Sequence, residues 1–185
     1  MGFQHAGQDG WFDFEGFYNH VVNKFKDGGK FVEIGCWFGK SSCGLLRKIK
    51  EIQANITVDF IDTWAGEPNV EYQKNIIKDN GDDYVYNCFL HNIKEADPEF
   101  NGKIHRLESQ QAVSLYEDES LDFVFIDDDH SYENIVKEIP LWLAKVKKGG
   151  ILAGHDYDFG DVKRAVHELL GELPEQQGHV WCYQK

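Results

Sequence analysis

The apolar run Phe31, Val32, Glu33, Ile34 is closed by Gly35, and Gly39 then opens a stretch, 41–50, with Leu45, Leu46 and Ile49 on one helical face. A strand that passes through a tight glycine turn into a helix is the opening unit of a parallel α/β sheet. The alternation continues. Residues 56–62 are β-branched and apolar, 70–92 read as one or two helices over the site, and 103–107 as a short third strand. A helical pattern over 110–116 precedes a buried strand at 121–127. Then come a helix at 135–146 kinked at Pro140, a strand at 150–154 after a Lys-Lys-Gly-Gly turn, a helix at 162–170 and a terminal strand at 180–183. Ahead of all this, Phe14, Phe17, Val21, Val22 and Phe25 give helical spacing over 12–26, stopped by Asp27, Gly28 and Gly29, with 1–10 as a flexible lead-in.

Near-continuous apolar strands alternating with helices imply a mostly parallel sheet covered on both faces. With no repeat, low-complexity tract or linker, the 185 residues read as a single three-layer Rossmann-like α/β domain, with residues 1–29 as lead-in and helix and 30–185 as the core. Ligands of such sheets bind beyond the carboxyl ends of the strands. Polar and glycine residues concentrate there: Glu33 and Gly35, Asp62, Glu108 and Ser109, Asp127 to His130, and His155 with Asp156.

The glycine loop Glu33-Ile34-Gly35-Cys36-Trp37-Phe38-Gly39-Lys40-Ser41-Ser42 is defined by what it fails to spell. A phosphate-binding loop before Gly39, Lys40 and Ser41 needs its first glycine at position 34, which is Ile34. A dinucleotide fingerprint needs glycine where Trp37 stands. What remains is an acidic residue and two glycines between strand and helix. It allows close approach of a ligand without pyrophosphate, and the acid suits a cationic head such as an amino-acid ammonium. Asp62, ending the second strand, is placed to accept hydrogen bonds from ribose hydroxyls; Asp59 competes but sits within the strand, on the opposite pleat from Phe60. Trp64 flanks an adenine, shapes the pocket or belongs to the core.

Charge narrows the partners. Asp and Glu number 32 against 19 Lys and Arg, a formal −13, which repels both nucleic acid and anionic membranes, and no basic patch offsets it. No apolar run reaches membrane-spanning length and no signal-peptide pattern is present, so a cytoplasmic setting is expected. Cys36, Cys43, Cys88 and Cys182 form no C-x-x-C pair and read as reduced thiols, not zinc ligands.

Four blocks, in order, carry a resemblance: residues 32–42 (VEIGCWFGKSS), 60–64 (FIDTW), 121–133 (LDFVFIDDDHSYE) and 143–157 (LAKVKKGGILAGHDY). Together the sequence resembles a class I S-adenosylmethionine-dependent methyltransferase, of the compact subgroup similar to sugar and macrolide O-methyltransferases. The resemblance implies methionine-end contacts near Glu33 and Gly35, ribose contacts at Asp62 and adenine contacts near Glu108, Ser109 and Gln110. Trp37, Gly39, Ser41, Thr63, Trp64 and Asp127 complete the expected donor site. The chain is shorter after His155 than fuller members, so the reversed hairpin at the sheet edge is expected to shrink to one strand or a small pair.

Asp127, His155 and Asp156 match the positions where sugar-methylating relatives place a metal, with His155 where a carboxylate is usual. An oxygen-rich cluster there would suit Mg²⁺, which could orient a substrate hydroxyl and lower its pKa. His130, or Asp129, is then the candidate base. The expected activity is transfer of a methyl group from S-adenosylmethionine to an oxygen of a small-molecule acceptor such as a sugar. The alternative is a donor-binding module without catalysis that acts through a partner. A hydrolase or kinase lacks its elbow or loop here.

Overall fold

The computed structural model describes residues 10–67 and 70–185; most of the expected lead-in, 1–9, and residues 68–69, just before the helical stretch expected over 70–92, lie outside the described residues. Helix α1 spans Glu15–Lys24, β1 Gly29–Ile34, α2 Lys40–Glu51, β2 Ile56–Asp62, α3 Glu71–Asn80 and α4 Tyr84–Ala96. There follow β3 Ile104–Arg106, the one-turn α5 Ser109–Ala112, β4 Leu121–Ile126, α6 Tyr132–Lys145, β5 Val146–Gly154, α7 Gly160–Leu170 and β6 Trp181–Gln184.

The strands form one sheet in the order β3-β2-β1-β4-β5-β6, with β6 antiparallel to β5 and every other pair parallel. The edge hairpin is thus reduced to the single reversed strand β6. Chain order reverses between β1 and β4, so the crevice beyond their carboxyl ends is the switch point at which ligands bind.

The pleat divides each apolar strand between two cores. Phe31, Phe60, Phe123 and Phe125 face α1, α2 and α4, while Val32, Ile34, Ile61, Val124 and Ile126 face α6 and α7. Alternation of this kind is what covers a parallel sheet on both faces. Aromatic packing is dense under α1, where Phe14 lies 4.9 Å from Phe125 and Tyr18 5.0 Å from it.

Several local expectations change. The helix expected over 110–116 is one α-turn followed by a 3-10 turn, Val113–Leu115, because the chain must reach the buried Tyr116 and turn back into β4. The Lys147, Lys148, Gly149 segment belongs to β5 as a bulge: Leu121 pairs with Val146 but Phe123 with Ile151. Helix α6 runs through Pro140, which lies on its exposed face, where water can meet the carbonyl that loses its donor. The four cysteines are unbridged. Among the described residues no helix is long and apolar enough to cross a membrane.

Candidate active site

The turn after β1 is where the site begins. Gly35 has φ +81, and a Cβ there would fall 1.9 Å from the carbonyl oxygen of Asp127. Only glycine lets the end of β1 lie this close to the end of β4. Three non-glycine residues at strand ends also adopt left-handed backbone: Trp37 (φ 47), Trp64 (φ 54) and Asp156 (φ 57). Conformations of this cost persist where the surroundings over-determine them, and here the surroundings are visible. Asp62 accepts the N–H of Trp37 at 2.8 Å and of Trp64 at 2.6 Å, and Trp64 Nε1 donates to the Trp37 carbonyl at 2.9 Å.

Two cavities open on this scaffold. One, about 290 Å³, is lined by Gly35, Asp62, Thr63, Leu107, Glu108, Ser109 and the run Asp127, Asp128, Asp129. The other, about 360 Å³, is lined by Trp11, Lys40, Ser41, Val70, His130, His155, Asp156 and Phe159. Gly35, Trp37, Glu67, Gln73 and Asp127 line both, so the cavities meet at the glycine turn. The first has the acidic and hydroxyl groups a nucleoside needs; the second holds the charged cluster.

Most sequence-expected donor residues therefore stand around one connected space, and four are placed otherwise. Glu33 lines neither cavity: on the α1 face of β1 it is 1% exposed and accepts hydrogen bonds from Tyr18 and Ser41, so Ser41 is its link to the larger cavity. Burial pushes its carboxyl up to about 7, against the hydrogen bonds that lower it. Trp64 is fully buried against Tyr86 and Phe89, a core side chain and not an adenine flank. Gln110 is exposed and donates to Asn134, outside both cavities. Gly39 shapes the start of α2, where a Cβ would meet the Phe89 ring at 2.9 Å, and lines neither cavity. Asp59 is occupied elsewhere, accepting from Lys103 N and Tyr116 Oη.

The charged cluster differs in detail from expectation. Asp127, His130 and Asp156 bring one ligand atom each within 4.8 Å of one another. His130, not His155, completes the trio. His155 is 8% exposed and its two nitrogens are engaged, Nδ1 with Asp156 and Nε2 with Asp13, both at 3.1 Å. His130 Nδ1 is 3.1 Å from Glu67, while Nε2 lies 2.5 Å from Asp156 without the alignment of a hydrogen bond and 3.6 Å from Asp127. Burial works against charge on the His130 ring, but Asp127, Asp156 and Glu67 outweigh it and hold its pKa up to about 12. His155 is raised to about 9 in the same way, against its burial, by Asp156, Asp127 and Asp13. Asp156 is lowered because the two histidines overcome its burial; Asp127 is raised, its burial outweighing them. Asp129 accepts the N–H of Ser131 at 2.9 Å and lines the smaller cavity, not the larger one that holds His130, His155 and Asp156.

Sequence reasoning missed several wall residues. Glu67, Gln73, Trp11 and Phe159 belong to no motif, and only folding brings them in. Asp128 lies within the expected run Asp127 to His130, yet its partner is remote: burial first, then the neighbouring Glu138 of α6, raises its carboxyl well above the ordinary range. Asn134 Nδ2 donates to Glu138 at 2.9 Å beside this pair.

A sheet of this order, a glycine turn after β1, an acid ending β2 and a nucleoside-sized cavity between them define a class I S-adenosylmethionine-dependent methyltransferase. The chain belongs to the methyltransferase-domain family, whose pattern matches residues 32–157. The O-methyltransferase NovP has a similar structure, with TM-score 0.67 at 18% identity over 94% of this chain and 79% of that one. So has CalS11, a TDP-rhamnose 3'-O-methyltransferase of calicheamicin biosynthesis, with TM-score 0.58 at 15% identity over 92% and 76%. In sequence, the chain is 28% identical over 162 residues to the uncharacterized protein R132 of Acanthamoeba polyphaga mimivirus. That alignment covers 83% of this chain but 65% of the relative's length.

Proposed function

We propose that this domain methylates a hydroxyl oxygen of a small molecule, with a sugar as the leading acceptor class. The observation that carries the reading is the junction of the two cavities at Asp127, which puts a partly buried carboxylate on the wall of both. When bound, S-adenosylmethionine supplies an electrophilic methyl group, so the protein's task is alignment and removal of one proton.

Asp62, Thr63 and Ser109 line the wall that would take the nucleoside, and Ser41, backed by Glu33, the route toward the methionine end. In the larger cavity, Asp127 and Asp156 can accept a hydrogen bond from an acceptor hydroxyl. Asp127, raised by burial, is the more basic of the two and would take the hydroxyl proton as the oxygen bonds to the methyl carbon and the sulfonium C–S bond breaks. His130, already protonated among three carboxylates, orients them and stabilises their charge; it is not the base in this arrangement.

The Asp127, His130 and Asp156 trio offers an imidazole with two carboxylates. That set fits a transition ion such as Mn²⁺ or Zn²⁺ better than Mg²⁺, which seeks an all-oxygen shell. These three residues would hold such an ion only once His130 has given up its proton, so a metal-bound site is an alternative to the protonated arrangement above; the ion would then polarise the acceptor hydroxyl. A cytoplasmic location is part of the same proposal.

The test is calorimetry with S-adenosylmethionine and S-adenosylhomocysteine, followed by a radiolabelled-methyl screen of a hydroxylated metabolite library. Saturable binding and a methyl ether product are expected. Binding with no transfer to any acceptor would favour a non-catalytic binding module, and no binding would remove the donor assignment.

A further inference from the structure

Among the described residues, Trp11 and Phe159 are the two most exposed large apolar side chains, at 65% and 53%. Far apart in the chain, both line the larger cavity. Neither hangs on a loose segment. The Gly10 carbonyl before Trp11 accepts Lys40 Nζ at 2.9 Å, and Phe12 after it packs edge-on against Phe14 with ring centroids 5.1 Å apart. Asp13 is then held by His155 at 3.1 Å. Phe159 N donates to the Asp156 carbonyl at 2.9 Å, and its ring lies 5.8 Å from the His130 ring. An aromatic side chain on an anchored backbone but open to water gains little from the hydrophobic effect until a ligand covers it.

Electrostatics restricts that ligand further. Asp127, Asp156 and Glu67 line the cavity and Asp13 is bonded to its wall; of the cationic groups there, His130 and His155 are already engaged by these carboxylates and Lys40 by the Gly10 carbonyl. The chain as a whole carries a formal −13. A phosphate group entering this space must break one of those pairings or face the carboxylates with no free cation opposite it among the described residues, a penalty that an uncharged ring avoids.

We propose that Trp11 and Phe159 form an aromatic clamp over the acceptor subsite, selecting an uncharged ring with an apolar face and edge hydroxyls and rejecting phosphorylated or nucleotide-linked acceptors. This rests on the methyl-transfer reading of the cavity. A neutral sugar and a neutral phenol share the required chemistry, so both are tested.

The experiment uses protein saturated with S-adenosylhomocysteine, with binding followed at the tryptophan indole N–H resonances by NMR. The probes are methyl α-L-rhamnopyranoside, catechol and TDP-rhamnose. Saturation by one of the neutral rings is expected, the responding arm identifying the source, with TDP-rhamnose at least about tenfold weaker, as like-charge exclusion requires. Trp11→Ala and Phe159→Ala each raise the neutral ring's Kd at least about fivefold, and Trp11→Phe restores most of it, with S-adenosylhomocysteine affinity unchanged in all three. Tighter binding of TDP-rhamnose, equal affinity in both alanine variants, or saturation by neither neutral ring would overturn the clamp. Failure to bind S-adenosylhomocysteine would instead overturn the underlying functional reading.

Discussion

Asp62 accepts the backbone N–H of Trp37 at 2.8 Å, tying the end of β2 to the glycine turn after β1. Its other oxygen takes the Trp64 N–H at 2.6 Å, so one carboxylate fixes both strained turns beside the smaller cavity. Each oxygen keeps a lone pair for a ribose hydroxyl. Asp62→Ala is therefore expected to weaken S-adenosylmethionine binding by about 1–3 kcal/mol, the range of lost hydrogen bonds to a charged group. It should also lower the melting temperature, because two backbone donors lose their acceptor. Calorimetry and thermal melts check both; unchanged affinity would reassign the ribose contact.

Gly35 cannot be replaced without moving a strand end. A methyl group 1.9 Å from the Asp127 carbonyl, on a backbone with φ +81, must push β1 and β4 apart. Gly35→Ala is expected to destabilise by about 3 kcal/mol or more and to abolish donor binding in whatever remains folded. Urea denaturation measures the first effect. A loss within about 0.5 kcal/mol, the range for inconsequential surface changes, would contradict the close approach.

Glu33 makes stability depend on pH in a predictable direction. Its folded pKa, about 7, lies above the ordinary 4.5, so the folded state holds this proton where the unfolded chain has lost it. The stabilisation is complete below pH 4.5, falls as pH rises to 7 and is gone above that. Spread over that window, the difference is about 3 kcal/mol. Glu33→Gln, which stays neutral, should lack this part of the slope. The check is urea unfolding of both proteins between these pH values; parallel curves would show that Glu33 is ionised throughout.

Asp127→Asn removes the proposed proton acceptor while keeping the side chain's shape. With an acceptor from the library screen, kcat is expected to fall by about 10²-fold or more, the scale of a lost general base. Undiminished kcat would move the role to Asp156.

The metal preference follows from one imidazole. Titration calorimetry is expected to show Mn²⁺ or Zn²⁺ binding at least about tenfold tighter than Mg²⁺, and His130→Ala to erase that preference. Equal affinity for Mg²⁺ would mean that His130 does not ligate.

The sequence by itself determined the architecture and which strand ends surround the candidate site. Strand-to-helix alternation, the failed spacing at Ile34 and Trp37, and an acid at Asp62 are local patterns, and local patterns report backbone conformation and strand ends directly. What tertiary structure alone decided depends on which distant side chains share a face. The pleat turned Glu33 toward Tyr18 and Ser41 and away from the cavity, and the left-handed turn after β2 closed Trp64 into the core. Packing put Glu67 and Asp156 on His130, changing a presumed base into a protonated partner of carboxylates. It also brought Trp11 to the same mouth as Phe159. Charge state and cavity shape are sums over neighbours remote in sequence, and one chain's local pattern carries no term for them.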